Sequence, residues 1–579
     1  MQQSPYLNVL SDANVAATLR MMTQPPNTRL TPDIARELCQ RANSKAYISG
    51  SIDSIGSQYV IGLKAVNCEN GDALAQQQIA SAGKEKVLDA VGEGATKLRS
   101  QLGESLASVQ RFDTPLPQET TPSLEALKAY SLGLNAGNEK GPTAALPFFL
   151  RAIELDPYFA SALEGVGIVY DNLGQIGRAN EYLTKAFNLR DRASERQKLN
   201  IRSAYYTVVS GEMDKAVETY REWEANYPRD FQAPLDLGSL YITEGRYETG
   251  LEQIHRALRL NPDSVIGYDD LSQALLALNR LDDARQAYDD AMTRKLDDDL
   301  LHLVRYAIAF LQSDTKVMSE QAAWFTDRPE VENEILALEA ETAAYAGHLN
   351  KARELTRRAV DSALRADNKA AASIWGLEGA FREQVFGEGD AGQQAVAAMK
   401  VAPESPETQE FGALVLAASG DIKGAEALLQ DLQKRFPYHT MVQTYWLPIT
   451  RAEIALVNQQ PQRAIESLQA ALPVEPGLPL STQGPTCLYP IYVRGEAYLA
   501  AGQGSAAAAE FQRLIEHRGI TWSCTTGALA RLGLGRGYAM AGEKIKALAA
   551  YKEFLTLWKD ADPDIPILKQ AKAEYAKLQ

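Results

Sequence analysis

The chain has 579 residues, several times the ~100–150 of one domain, so it holds several domains or a repeat array. Apolar residues at 45% and charged residues at 23% match ordinary globular usage and exclude a disordered or collagen-like chain. The net charge is -15, and residues 1–112, with 11 basic and 10 acidic side chains, carry none of that excess; the acidic remainder disfavours nucleic acid and anionic membrane surfaces as partners.

Met1–Leu10 lacks the basic start and apolar core of a signal peptide, and no run approaches the ~18 apolar residues of a membrane span, so a soluble chain without membrane insertion is expected. "LNVL" at 7–10 reads as a short strand, with Asp12 capping a helix over "ANVAATLRMM". Thr31, Pro32 and Asp33 start a second helix, "DIARELCQRA". Segments 45–52, 57–66 and 72–80 alternate or are β-branched, with Gly56–Ser57 and Asn70–Gly71 at the turns, and predict a meander of three strands. A helix from about Lys84 to Leu106 closes a small α/β domain of three or four strands over 1–112. A strand so close to Met1 with nothing before it reads as the downstream part of a longer protein. Residues 113–123 then read as a linker.

Beyond it, small residues recur. Ala145, Ala179, Ala216, Gly250 and Ala284 are 34, 37, 34 and 34 residues apart. Gly133, Gly167 and Gly238 precede them by twelve, and Pro157, Pro228 and Pro262 follow by twelve. Small residues let two antiparallel helices cross closely, and each proline ends the second helix and opens the next turn. Well-formed hairpins are expected over 124–297 and degenerate ones over 298–472, including one marked by Tyr306 and Trp324. A Pro-rich loop follows at 473–490, then C-terminal hairpins at 491–563 and a capping helix at 564–579.

This pattern resembles the tetratricopeptide repeat (TPR). The fold class it implies is mainly α, a TPR-type α-α superhelix of about twelve helical hairpins preceded by a small α/β domain. Longer stretches, among them "RLTPDIARELCQR", "AYISGSIDSIGSQYVIGLKAVNCENGDALA" and "FLTLWKDADPDIPILKQAKAEYAKLQ", resemble an acidobacterial family of TPR proteins. In that family the block follows a serine/threonine kinase domain, or a winged-helix domain, through a membrane span. The resemblance implies an extracytoplasmic location if such a span lies upstream, and a cytoplasmic one otherwise. The first domain also resembles the TolB amino-terminal type and secretion-associated lipoproteins.

No kinase motif and no G-x-S-x-G elbow occurs, and the five histidines are scattered without ligand spacing, so no enzyme activity, cofactor or metal is expected. "GLGRG" at 533–537 reads as helix packing rather than a phosphate loop. Cys487 and Cys524 fall near the starts of successive first helices, where they can approach and oxidise, although four cysteines are too few for a disulfide framework. The repeat register turns Glu164, Ile168, Asp171, Asn172, Ser239, Ile242, Asp269 and Gln273 toward a concave groove that lacks the basic set of chaperone-binding repeats. A protein or peptide partner with basic and aliphatic residues follows, for a non-catalytic scaffold in the sensory part of a signalling protein. Alternatives are an envelope or secretion-associated assembly protein and the effector region of a winged-helix regulator.

Overall fold

A computed structural model describes every residue except Gln2, Ser11, Pro26, Asn27, Gly174 and 478–486. Half of the Pro-rich loop expected at 473–490 therefore lies outside the described residues. The chain divides into two compact units, one of Met1–Val209, Met213–Pro234 and Arg259–Asp263, the other of Ser210–Glu212, Leu235–Leu258 and Ser264–Gln579.

The first unit opens with α1 (Asp12–Met21) and α2 (Pro32–Arg41), the latter capped by Thr31 Oγ1 accepting from the Ile34 N–H. Strands β1 (Ala46–Ile55), β2 (Gln58–Asn67) and β3 (Ala73–Ser81) form one antiparallel sheet in that order. Ile61 stands opposite Ile52 on one side and Ile79 on the other. Helix α3 (Val87–Gln101) covers β2 and β3, with Gly94 facing Ile79 and Leu63. Two expectations are corrected here. Residues 7–10 form no strand, because Ser4 Oγ accepts from the Tyr6 and Leu7 N–H groups and holds the segment in a turn. The helix expected to reach Leu106 ends at Gln101; Gly103 at φ +100° breaks it, and α4 (Leu106–Phe112) restarts behind the Ser105 cap.

The buried Arg99 guanidinium ties this break together. It meets Glu104 at 2.8 Å and Asp113 at 3.0 Å, while Ser4 and Ser108 donate to the same Glu104 carboxylate. These bonds hold Glu104 far below the usual carboxylate range, at about 2, despite its burial. Cys39 of α2 and Cys68 after β2 form a disulfide, Cα atoms 6.0 Å apart, which the cysteine count did not anticipate.

The remainder is helical hairpins, each a first helix and an antiparallel second. Hairpins 1 to 3 are Leu124–Lys140 with Pro142–Leu155, Ala160–Asn172 with Ile176–Asn188, and Glu195–Ala204 with Met213–Asn226. Hairpins 4 to 6 are Gln232–Thr243 with Tyr247–Leu260, Val265–Ala277 with Leu281–Thr293, and Asp299–Leu311 with Thr315–Trp324. Hairpins 7 to 9 are Glu332–Tyr345 with Leu349–Arg365, Lys369–Phe386 with Ala391–Met399, and Pro406–Ala418 with Ile422–Arg435. Hairpins 10 to 12 are Leu447–Val457 with Pro461–Ser467, Tyr489–Ala500 with Gly504–Glu516, and Thr525–Met540 with Lys544–Leu557, before a final helix Pro566–Leu578. Small residues sit at the crossings: a Cβ on Gly238 would lie 2.6 Å from Ile254 Cδ1. Residues 533–537 lie inside a helix, as the sequence implies.

The second unit closes on itself. Turns within early hairpins meet segments at the ends of hairpins four to six places later. Tyr247 donates its hydroxyl to the Pro476 carbonyl at 2.5 Å, and Asn279 Nδ2 to the Glu516 carbonyl at 2.9 Å. In the turn of hairpin 7, Asp562 Oδ2 accepts from the Asn350 N–H at 2.8 Å, and Trp558 Nε1 donates to the Tyr345 carbonyl at 3.0 Å. Gly387 after the first helix of hairpin 8 packs on Pro566. This row of contacts is a seam between successive turns of the repeat path.

Candidate functional site

First helices turn one stripe of side chains inward and another toward their own second helix, so the inward stripe recurs at fixed positions from one hairpin to the next. In the first unit, hairpin 2 places Glu164 on this stripe, buried, accepting from Asn200 at 2.9 Å and Gln197 at 3.2 Å of hairpin 3. Burial raises its carboxyl to about 7, and the two amides oppose the rise. Ile168 and Asp171 are half-buried, and Asn172 is exposed.

In the second unit, Ser239 of hairpin 4 donates to Asp270 of hairpin 5 at 2.5 Å, and burial carries Asp270 to about 7. Ile242 is buried. Half-buried Gln273 donates to Asp269 Oδ2 at 2.7 Å, while Asp269, 3% exposed, keeps Oδ1 without a hydrogen bond. Burial and then the Asp270 charge push Asp269 well up, with Asp298 and Asp299 adding to the rise. Asp299 itself sits at about 6 for the same two reasons, burial and Asp298. Glu334 of hairpin 7, raised to about 8 by burial and by Asp299, Asp298 and Asp269, also has a buried oxygen, Oε2, without a partner.

The acidic series runs further than the register read from sequence. Burial lifts Glu378, Glu410 and Glu453 each to about 8 and raises Glu496, all on first helices of hairpins 8 to 11. A signal was present: Glu453 and Glu496 directly follow the small residues Ala452 and Gly495, as Ile168 follows Gly167. Glu341, in contrast, pairs with the buried Arg382 and accepts from the Thr525 N–H and hydroxyl at 3.3 Å.

Cys487 and Cys524 are joined, Cα atoms 5.4 Å apart, the pairing that their repeat positions allow. Their sulfurs lie near Glu341, the one metal-ligand grouping among the described residues. It does not fit a metal ion, because each sulfur is bonded to the other and Arg382 already neutralises the carboxylate.

The model of the tetratricopeptide repeat family matches residues 235–298 and 492–564, which are hairpins 4–5 and 11–12. The chain carries tetratricopeptide repeats. It is 27% identical over 207 residues to human Superkiller complex protein 3, a match that spans 29% of this chain and 13% of that protein's length. Among solved structures it resembles Cut9 with Hcn1 of the APC/C (14% identity, TM-score 0.39, 85% of this chain and 93% of that one). It also resembles yeast Tom70 (15%, TM-score 0.30, 73% and 96%) and the type IV pilus biogenesis factor PilW (16%, TM-score 0.29, 36% and 95%). A TPR array is a scaffold suited to protein–protein interaction. Among the described residues no helix is long and apolar enough to cross a membrane.

Proposed function

We propose that this chain is a non-catalytic interaction scaffold whose inward stripe receives a partner segment of basic and aliphatic residues. We further propose that it serves as the sensory or regulatory region of a bacterial signalling protein of the kinase-and-repeat type. In the second unit the receiving residues are Ser239, Ile242, Asp269 and Gln273, extended by Asp299 and Glu334. In the first unit they are Glu164, Ile168, Asp171 and Asn172. The observation that carries the reading is the pair of buried carboxyl oxygens, Asp269 Oδ1 and Glu334 Oε2, without hydrogen bonds among the described residues and amid carboxyls that raise one another's pKa. Such an arrangement costs the isolated protein free energy, and a lysine or arginine placed among these groups removes that cost.

Calorimetry with a ten-residue peptide alternating lysine and leucine, against the same peptide with glutamine for lysine, tests it. The cation favours the ionised carboxyls, so affinity rises with pH through about 6 and on to about 8, the values of Asp299 and Glu334. Asp269→Asn with Glu334→Gln removes the binding. Equal affinity for the two peptides sinks the proposal.

A second reading draws on the disulfides Cys39–Cys68 and Cys487–Cys524. Such bonds persist in oxidising compartments. They favour an extracytoplasmic location, which suits the region beyond a membrane span and equally an envelope-assembly protein.

A further inference from the structure

The seam of the second unit is joined at the turns of hairpins 4, 5, 7 and 8. At the turn of hairpin 6, Ser313 borders a cavity of about 430 Å³. Phe310 and Met318 of hairpin 6 form one wall, Tyr345 of hairpin 7 a second, and Trp522 with Arg518 and Arg531 a third. Arg531 is fixed in place: Nη1 donates to the Gly527 carbonyl at 2.7 Å, and the guanidinium lies 5.8 Å from the Tyr345 ring centre. Arg518 is exposed at the mouth.

The charges are unusual for this protein. No aspartate or glutamate lines the cavity. Elsewhere in the same unit Arg382 pairs with Glu341, Arg494 with Glu475 and Glu510, and Arg536 with Glu574. Among the described residues Arg518 and Arg531 have no carboxylate partner, in a chain whose net charge is -15. Two guanidiniums without counter-ions beside aromatic walls make a receptor for an anion with an apolar body. The volume falls within the ~300–1,000 Å³ of ordinary ligand pockets and admits one aromatic side chain with its carboxylate.

We infer that this cavity binds an apolar carboxylate, supplied either as a small aromatic acid or as the C-terminal residue of a peptide. The site is separate from the acidic stripe and does not depend on it. The ring enters between Phe310, Met318 and Trp522, and the carboxylate meets Arg531 within and Arg518 at the mouth.

Titration calorimetry on the full chain tests this with N-acetylphenylalanine against its amide, and with an octapeptide ending in phenylalanine against the same peptide amidated. The carboxylate forms bind at least about tenfold more tightly than the amides. Arg518→Ala, at an exposed position, and Arg531→Gln each weaken binding about tenfold, while Asp269→Asn with Glu334→Gln leaves it unchanged. Binding of both N-acetylphenylalanine and the peptide supports the pocket with a small acid as sufficient occupant; binding of the peptide alone supports it with a chain terminus as occupant. Equal affinity for acid and amide, no binding of either carboxylate at millimolar concentration, or undiminished binding by the Arg518→Ala, Arg531→Gln double variant overturns it.

Discussion

Replacing Gly347 by alanine tests whether the seam holds the second unit together. Gly347 lies in the turn of hairpin 7 at φ +79°, a conformation that costs an alanine about 1–2 kcal/mol. Its new Cβ would stand 2.5 Å from Ala561 Cβ and 2.9 Å from Trp558 Cδ2. Trp558 cannot retreat: it is 1% exposed, anchored through Nε1 to the Tyr345 carbonyl and set edge-on to Phe386 at 5.0 Å. Overpacking of this kind adds about 1–3 kcal/mol, for a total of about 2–5. Gly542 supplies the control, with the same φ of +79° and nothing within 4 Å of its Cβ, so Gly542→Ala should cost only the backbone part. Urea unfolding followed by tryptophan fluorescence measures both. Losses that agree within about 0.5 kcal/mol would refute a seam that contributes to stability.

Three further outcomes follow from Glu410 and the disulfides. Glu410 is raised to about 8 by burial and Glu407, so its folded pKa lies above its unfolded one; it takes stability away as pH climbs from about 4.5 to about 8. Glu410→Gln should therefore raise Tm at pH 8.5 and leave it unchanged at pH 5, and a variant equally shifted at both pH values would contradict the assignment. The disulfides should leave no titratable thiol in protein secreted into an oxidising compartment and then unfolded without reductant. Opening Cys487–Cys524, whose residues are 37 apart, by a Ser substitution at each should cost about 2–4 kcal/mol in denaturant unfolding.

The hairpins were legible because each small-residue crossing is a local event, repeated at a spacing that the sequence displays. Gly238 against Ile254 needs only the two helices of one hairpin. The Cys487–Cys524 pair was legible for the same reason, since both residues hold equivalent places in neighbouring repeats. Cys39–Cys68 was not, because it depends on how α2 lies against the turn after β2, with Arg36 and Gln40 both donating to the Cys68 carbonyl. The register that selects Glu164 and Asp269 was read where glycine and alanine mark it. That register was not carried into hairpins 8 to 11, so Glu378, Glu410, Glu453 and Glu496 were missed, although Ala452 and Gly495 directly precede two of them. The strand expected at 7–10 is not formed, and a Ser4 turn takes the Leu7 N–H at its start. The seam was invisible for a different reason: it joins residues about two hundred apart, and their meeting is the sum of many small rotations between hairpins.

That separation also bears on how the protein is made. Asn350 waits for Asp562, 212 residues later, and Asn279 for Glu516, 237 later. At the ~5–20 residues per second of translation, hairpins 5 and 7 stand finished but uncovered for on the order of 10–50 s. A nearest-neighbour array would tolerate the removal of its last repeats with a graded loss. Here the final helices are the clasp of the earlier ones, so shortening the chain at its end opens it in the middle.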